Sequence, residues 1–144
     1  MASHSLEIVF EKFSSLKELE PSDKSLFESA IIAMKSAYAP YSAFPVGAAI
    51  LLENGEIILG SNQENIAYPS GLCAERVALF AAATQFPDVP IISLAITTQP
   101  QLEGSIAEIT PCVACRQVML EYERRHSKDF KVITGASNGE IMVF

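Results

Sequence analysis

All three cysteines of this 144-residue chain fall in two short motifs, Cys73-Ala74-Glu75-Arg76 and Pro111-Cys112-Val113-Ala114-Cys115-Arg116. A fold that uses them together must bring two distant segments to one place, and few architectures do so. Three thiolates hold a zinc ion and leave its fourth position to water, which a hydrolytic zinc needs and a structural one does not. Glu75 stands two residues after the first of these ligands, placed to move protons without binding the metal itself.

Simpler accounts exist for each residue alone. A single cysteine is most often a small buried apolar residue, and acids are enriched in the first turn of any helix. Cys112 and Cys115 by themselves also fit a thioredoxin-like redox pair, an account that leaves Cys73 and Glu75 without a role. A closed structural zinc needs a fourth ligand, and neither His4 nor His126 has ligand-like spacing to a cysteine. Arg76 and Arg116 each follow a cysteine directly, placed to donate hydrogen bonds to sulfur and withdraw charge, although surface arginines are common on helices.

Composition narrows the partners. The net charge is −7, and the one basic cluster, Arg124-Arg125-His126 with Lys128, is short and fits a solvated helix end. A polynucleotide partner is not expected, because its phosphates call for clustered Lys and Arg. With 49% apolar residues the chain has material for a core, and disulfides are not required. The odd cysteine count and an N-terminus without a basic, apolar leader point to a reducing cytoplasm. No membrane span is expected, since the longest apolar stretch, residues 46–52, is strand-sized.

Residues 1–21 read as an N-terminal extension, with Leu6, Ile8, Val9, Phe10 and Phe13 fitting a strand or a helical turn equally. The domain proper is expected over 22–144. A first helix is capped by Ser22 or Asp23 and ends before Pro40, with Leu26, Phe27, Ala30, Ile31, Met34 and Tyr38 recurring on a core face. Strands at 46–53 and 56–61 are joined by a two-residue turn at Asn54-Gly55, both tolerant of positive φ. A polar loop over 62–72 precedes a helix at 73–86, which Pro87 and Pro90 stop. A strand at 91–98, a loop at 99–111, a helix at 112–126 and strands at 130–135 and 140–143 follow. This alternation predicts an α/β three-layer α-β-α sandwich with a mixed sheet of about five strands.

With these motifs in hand, the chain resembles the cytidine deaminases, specifically their small homotetrameric class with three cysteine ligands. The resemblance runs over residues 24–144. It is carried by Tyr38-Ala39-Pro40-Tyr41-Ser42-Ala43-Phe44-Pro45-Val46-Gly47-Ala48-Ala49, by Gly60-Ser61-Asn62-Gln63-Glu64-Asn65-Ile66-Ala67-Tyr68-Pro69, and by both cysteine motifs. It implies one zinc per chain on Cys73, Cys112 and Cys115, with Glu75 as proton shuttle. It implies that Asn62 and Glu64 bind ribose hydroxyls, that Phe44 packs on the pyrimidine, and that the chain around Ala67 and Tyr68 lines the pocket. The expected activity is hydrolytic deamination of cytidine and deoxycytidine in pyrimidine salvage, by a homotetramer. Two departures stand out: Val113 occupies a position usually held by glycine, and the chain ends at Phe144 where relatives carry a further segment. A deaminase of a cytosine-containing antibiotic nucleoside, or a non-catalytic zinc or redox module, are the competing expectations; Asn62-Gln63-Glu64 favours an ordinary nucleoside.

Overall fold

The computed structural model describes residues 3–5, 7–99 and 109–144. Most of the loop expected at 99–111 lies outside the described residues. The elements are β1 (Glu11–Phe13), a 3-10 turn (Leu16–Glu18), α1 (Pro21–Met34), β2 (Val46–Leu52), β3 (Ile57–Ser61), a 3-10 turn (Tyr68–Ser70), α2 (Ala74–Gln85), β4 (Ile91–Thr98), α3 (Val113–His126), β5 (Lys131–Ala136) and β6 (Ile141–Val143). The strands form one mixed sheet in the order β1-β6-β5-β4-β2-β3.

Strand β2 lies inside the sheet next to the edge strand β3, antiparallel to both β3 and β4, and its side chains divide the interior in two. Ala48, Ile50 and Leu52 join Leu94, Ile96, Ala78, Leu79 and Met119 in a core beneath α2 and α3. Ala49 joins Ala95, Ile133, Leu26 and Phe27 in a second core beneath α1. A strand covered on both faces has no polar side to show, which explains its unbroken apolar sequence. The α-β-α layering is therefore as expected.

The sheet has six strands rather than about five. The additional one is β1, which pairs antiparallel with β6 (Glu11 opposite Val143, Phe13 opposite Ile141) and occupies the sheet edge. Its three residues are too few for period-two alternation to stand out from a helical turn.

Three local expectations are corrected. Helix α1 begins at Pro21, with no side-chain cap from Glu20. Proline suits a first helical position because its missing N–H would have had no partner there. Asp23 is buried in the first turn and ion-pairs with Lys131 of β5 at 2.7 Å instead of capping. The same helix ends at Met34, and Tyr38 is 55% exposed, bridged to Gln63, rather than on the core face. Between β2 and β3 only Gly55 has positive φ, +87°. The Gly55 N–H donates to Leu52 and the Leu52 N–H to Glu56, a three-residue connection with glycine at its left-handed position.

The topology also decides where the cysteines go. Strands β3 and β4 are each antiparallel to β2, hence parallel to one another, and β4 is parallel to β5. Helices α2 and α3 are thus two successive crossovers that start from the same end of the sheet, beyond the carboxyl ends of parallel strands, where such folds bind ligands. Gly60 seats α2 closely on β3: a Cβ there would lie 2.5 Å from the Ala78 amide nitrogen and 2.6 Å from the Ala74 carbonyl oxygen. Gly60→Ala is expected to destabilise the protein by about 1–3 kcal/mol, because backbone cannot yield as a side-chain tip can. Urea unfolding measures the loss, and zinc affinity is expected to fall with it, since Cys73 precedes the first residue of the displaced helix.

Candidate zinc and nucleoside site

Cys73 occupies the N-cap of α2 and Cys112 the N-cap of α3, with Cys115 in the first turn of α3. The Cys112 sulfur accepts the Cys115 backbone N–H at 3.4 Å, so the thiol acts as a helix cap. The Sγ atoms of Cys73 and Cys112 are 3.9 Å apart, those of Cys112 and Cys115 are 3.4 Å apart, and all three lie within 4.8 Å of one another. Sulfurs bound tetrahedrally to zinc at about 2.3 Å are separated by about 3.8 Å. The donor set fits that ion in both chemistry and spacing.

Electrostatics explains why a cation belongs there. In the cluster of thiols Cys73 ionises first: the hydrogen bond from the Cys115 thiol is the main cause, with Arg76 adding to it, and its pKa falls to about 5. Cys115 moves the opposite way, holding its proton because it is bonded to Cys73 and buried. Three adjacent thiolates repel, and a divalent ion is what allows all three to deprotonate together.

The two arginines divide. Arg76 Nη2 donates to the Cys73 sulfur at 3.7 Å, as the motif suggested. Arg116 instead donates from Nε to the Pro111 carbonyl at 2.8 Å, tying α3 to the segment that carries Cys112.

Glu75, in the first turn of α2, is 5% exposed. Burial is the main cause of its raised pKa, and the neighbouring Cys73 charge adds to it; a hydrogen bond with the Cys115 side chain works against both. A carboxyl group that holds its proton unusually well thus sits against the sulfur cluster.

A groove of about 750 Å³ opens from Cys73 and Arg76, with Asn62, Glu64, Tyr41 and Tyr68 among its walls. Phe44 and Ala67 are not on that wall. Phe44 is half-buried and packs, like Cys73, against the core beneath α2 and α3, while the Ala67 N–H donates to Asn65 Oδ1 in the turn before Tyr68. Tyr68 is 93% exposed. Glu64 Oε2 accepts the backbone N–H groups of Tyr41 (2.9 Å) and Ser42 (3.3 Å). Its pKa is lowered, chiefly by a hydrogen bond from the Ser42 side chain and then by the Tyr41 N–H. Asn62 is buried, and its amide is bonded to the backbone of Phe44 and Val46.

Sequence reasoning passed over Tyr41, Ser42 and Ala43 as functional positions. Ala43 has φ +53°, uncommon for a residue with a Cβ. Only the resemblance of the whole segment to a known motif drew attention to it, because no local pattern announces a left-handed alanine.

The family model for the cytidine and deoxycytidylate deaminase zinc-binding region matches residues 20–128. Among curated proteins, the chain is 42% identical over 117 residues to a cytidine deaminase of Halalkalibacterium halodurans, covering 81% of each. It is 46% identical over 90 residues to one of Sporosarcina psychrophila, covering 62% of each. The crystal structure of cytidine deaminase from Burkholderia pseudomallei superposes with a TM-score of 0.72 at 36% identity, over 83% of this chain and 89% of that one. Two helix N-termini that converge three sulfurs on one point, a buried carboxyl beside them and these matches lead to one conclusion: the chain belongs to the cytidine and deoxycytidylate deaminase family.

Proposed function

We propose that the protein is a zinc-dependent aminohydrolase that converts cytidine and deoxycytidine to uridine and deoxyuridine with release of ammonia, as a step of pyrimidine salvage. The observation that carries this reading is the three-sulfur cluster with Glu75 buried against it, opening onto a groove of nucleoside size. Cys73, Cys112 and Cys115 hold the ion. Zinc, when bound, supplies a Lewis acid that brings the pKa of water toward neutrality. Arg76 draws charge from the Cys73 sulfur and offsets the donation of three thiolates.

Glu75 performs the proton transfers. It takes a proton from the attacking water and carries it to N3 of the ring as oxygen adds at C4. It then takes the remaining proton of the new C4 hydroxyl and delivers it to the amino group, so that ammonia departs and the C4 carbonyl forms. Its raised pKa suits a group that must keep a proton between two transfers. Glu64 and Asn62 face the sugar hydroxyls, Phe44 backs the pyrimidine, and the chain at Ala67 and Tyr68 closes the pocket edge. Exposed Tyr41, Ile66 and Tyr68 beside the groove support assembly into a homotetramer with pockets at subunit contacts. Three free thiols support a reducing, cytoplasmic setting. Among the described residues no helix is long and apolar enough to cross a membrane.

The decisive experiment measures zinc and cytidine-to-uridine conversion on one sample. One zinc per chain with turnover is expected, and zinc without turnover on cytidine or deoxycytidine would refute the reading. Glu75→Gln is expected to keep its zinc while losing about 10²–10⁴-fold in kcat. A carboxyl whose folded pKa is raised favours folding while protonated and opposes it once ionised. Zinc-free Glu75→Gln should therefore melt above its parent at about pH 8, with the gap closing as the pH falls toward about 4. Zinc removal has a separate signature. In the chelated protein, iodoacetamide at about pH 6.5 should alkylate Cys73 well ahead of Cys115, as peptide mapping would show.

A further inference from the structure

Two of the three sulfurs belong to one turn of one helix. Cys112 caps α3 and Cys115 lies in its first turn, with their Sγ atoms 3.4 Å apart. Cys73 reaches the cluster from the start of α2, 3.9 Å from Cys112. A disulfide holds its sulfurs about 2.05 Å apart, so joining Cys112 to Cys115 asks for an approach of about 1.4 Å within a single turn. The backbone of that turn is already tied: the Arg116 N–H donates to the Cys112 carbonyl at 2.9 Å and its Nε to the Pro111 carbonyl at 2.8 Å. Two residues between cysteines at a helix start is also the spacing that dithiol redox proteins use.

Joining Cys73 to either partner would instead draw two helix starts together. Helix α2 is held against that movement, since Ala74, Ala78 and Leu79 are fully buried and Gly60 lies against its backbone. Access differs as well: Cys112 is exposed and Cys115 is fully buried.

Hydrogen peroxide is the simplest oxidant for such a pair. A thiolate sulfur attacks one peroxide oxygen, the O–O bond breaks, and a sulfenic acid and hydroxide result. A second thiolate then attacks the sulfenic sulfur; the S–S bond forms, the S–O bond breaks and hydroxide leaves. The two sulfurs give up two electrons, and with the two thiol protons the peroxide ends as water. Where Cys73 is oxidised first and bonds to Cys112, Cys115 attacks the Cys112 sulfur and Cys73 departs as a thiolate. With all three sulfurs within 4.8 Å, such exchange ends at the pair whose closure disturbs the fold least.

We propose that Cys112 and Cys115 are a reversible disulfide site as well as metal ligands: hydrogen peroxide converts the zinc-free protein to a Cys112–Cys115 disulfide that bars zinc until a dithiol reduces it. The inference rests on the zinc reading of the cluster. Oxidation removes two of the three ligands at once, and one remaining thiol is no zinc site. Bound zinc acts in the converse sense, because it occupies the sulfur lone pairs that attack the peroxide. Metal occupancy and disulfide therefore exclude one another.

The test treats chelated, fully reduced protein with hydrogen peroxide, then unfolds it, alkylates it with iodoacetamide and maps tryptic peptides. Three alkylatable thiols should fall to one, at Cys73. Cys112 and Cys115 share the tryptic peptide 77–116, which should lose two hydrogens, whereas Cys73 lies in 36–76. Zinc uptake, measured with the metal alone, should drop about tenfold or more after oxidation and return with dithiothreitol. Zinc-loaded protein should lose its thiols about tenfold more slowly. Cys73→Ser should form the same bond. A cross-link between peptides 36–76 and 77–116, survival of all three thiols, conversion to sulfinic acid without a disulfide, or oxidised protein that still takes up zinc would each overturn the proposal. Reduced protein that takes up no zinc would overturn it together with the zinc reading. No step uses a nucleoside, so a zinc protein inert on cytidine and deoxycytidine would refute the deaminase reading and leave this result standing.

Discussion

Three sulfurs within 4.8 Å of one another form the constraint around which this molecule is arranged. Brought together as thiolates they repel, and brought together as thiols they compete for protons, so that Cys73 ionises and Cys115 does not. The protein lowers the cost of that proximity with two helix N-termini and one guanidinium, and a divalent ion removes what remains. The fold's contribution is to deliver both helix starts to the same end of the sheet. Two successive crossovers between parallel strands do this without any long-range coordination beyond the sheet register itself.

Close seating turns that delivery into defined geometry. Gly60 of β3, with Ala74 and Ala78 of α2, allows helix and strand backbones to approach as nearly as atoms permit. Small residues here fix the height of α2 over the sheet, and with it the position of Cys73 relative to the sulfurs of α3. Glu75 follows Ala74 in the first turn of α2 and is itself buried, and burial is the main cause of its raised pKa.

Two carboxylates on one site end up with opposite character. Glu75 is desolvated beside a negative sulfur and keeps its proton; Glu64 accepts several N–H and O–H donors and gives its proton up readily. The first is suited to proton transfer and the second to holding polar groups in place, a division set wholly by environment. Asn62 and Glu64 meanwhile lash an otherwise irregular segment to the end of β3. The groove wall is therefore as much a product of side-chain to backbone bonds as of the helices and strands around it.

Much of this was legible in the residues themselves. The unbroken apolar run of β2, the helical spacing of Leu26, Phe27 and Ala30, and the cysteine motifs announce layering and metal chemistry, because periodicity and ligand type are local properties. Strand β1 was not legible, since three residues carry too little periodicity and its partner β6 lies at the far end of the chain. Neither was the Arg116 contact with Pro111, the positive φ confined to Gly55 within its turn, nor the bonds of the Asn62 amide to Phe44 and Val46. Those depend on which backbone groups happen to lie opposite one another once the sheet is assembled. Sequence alone determined which thiols and which carboxyl were candidates for one site and the order of the main elements; tertiary structure decided distances, proton affinities and which polar groups are bonded to which, because each arises between residues that meet only through folding.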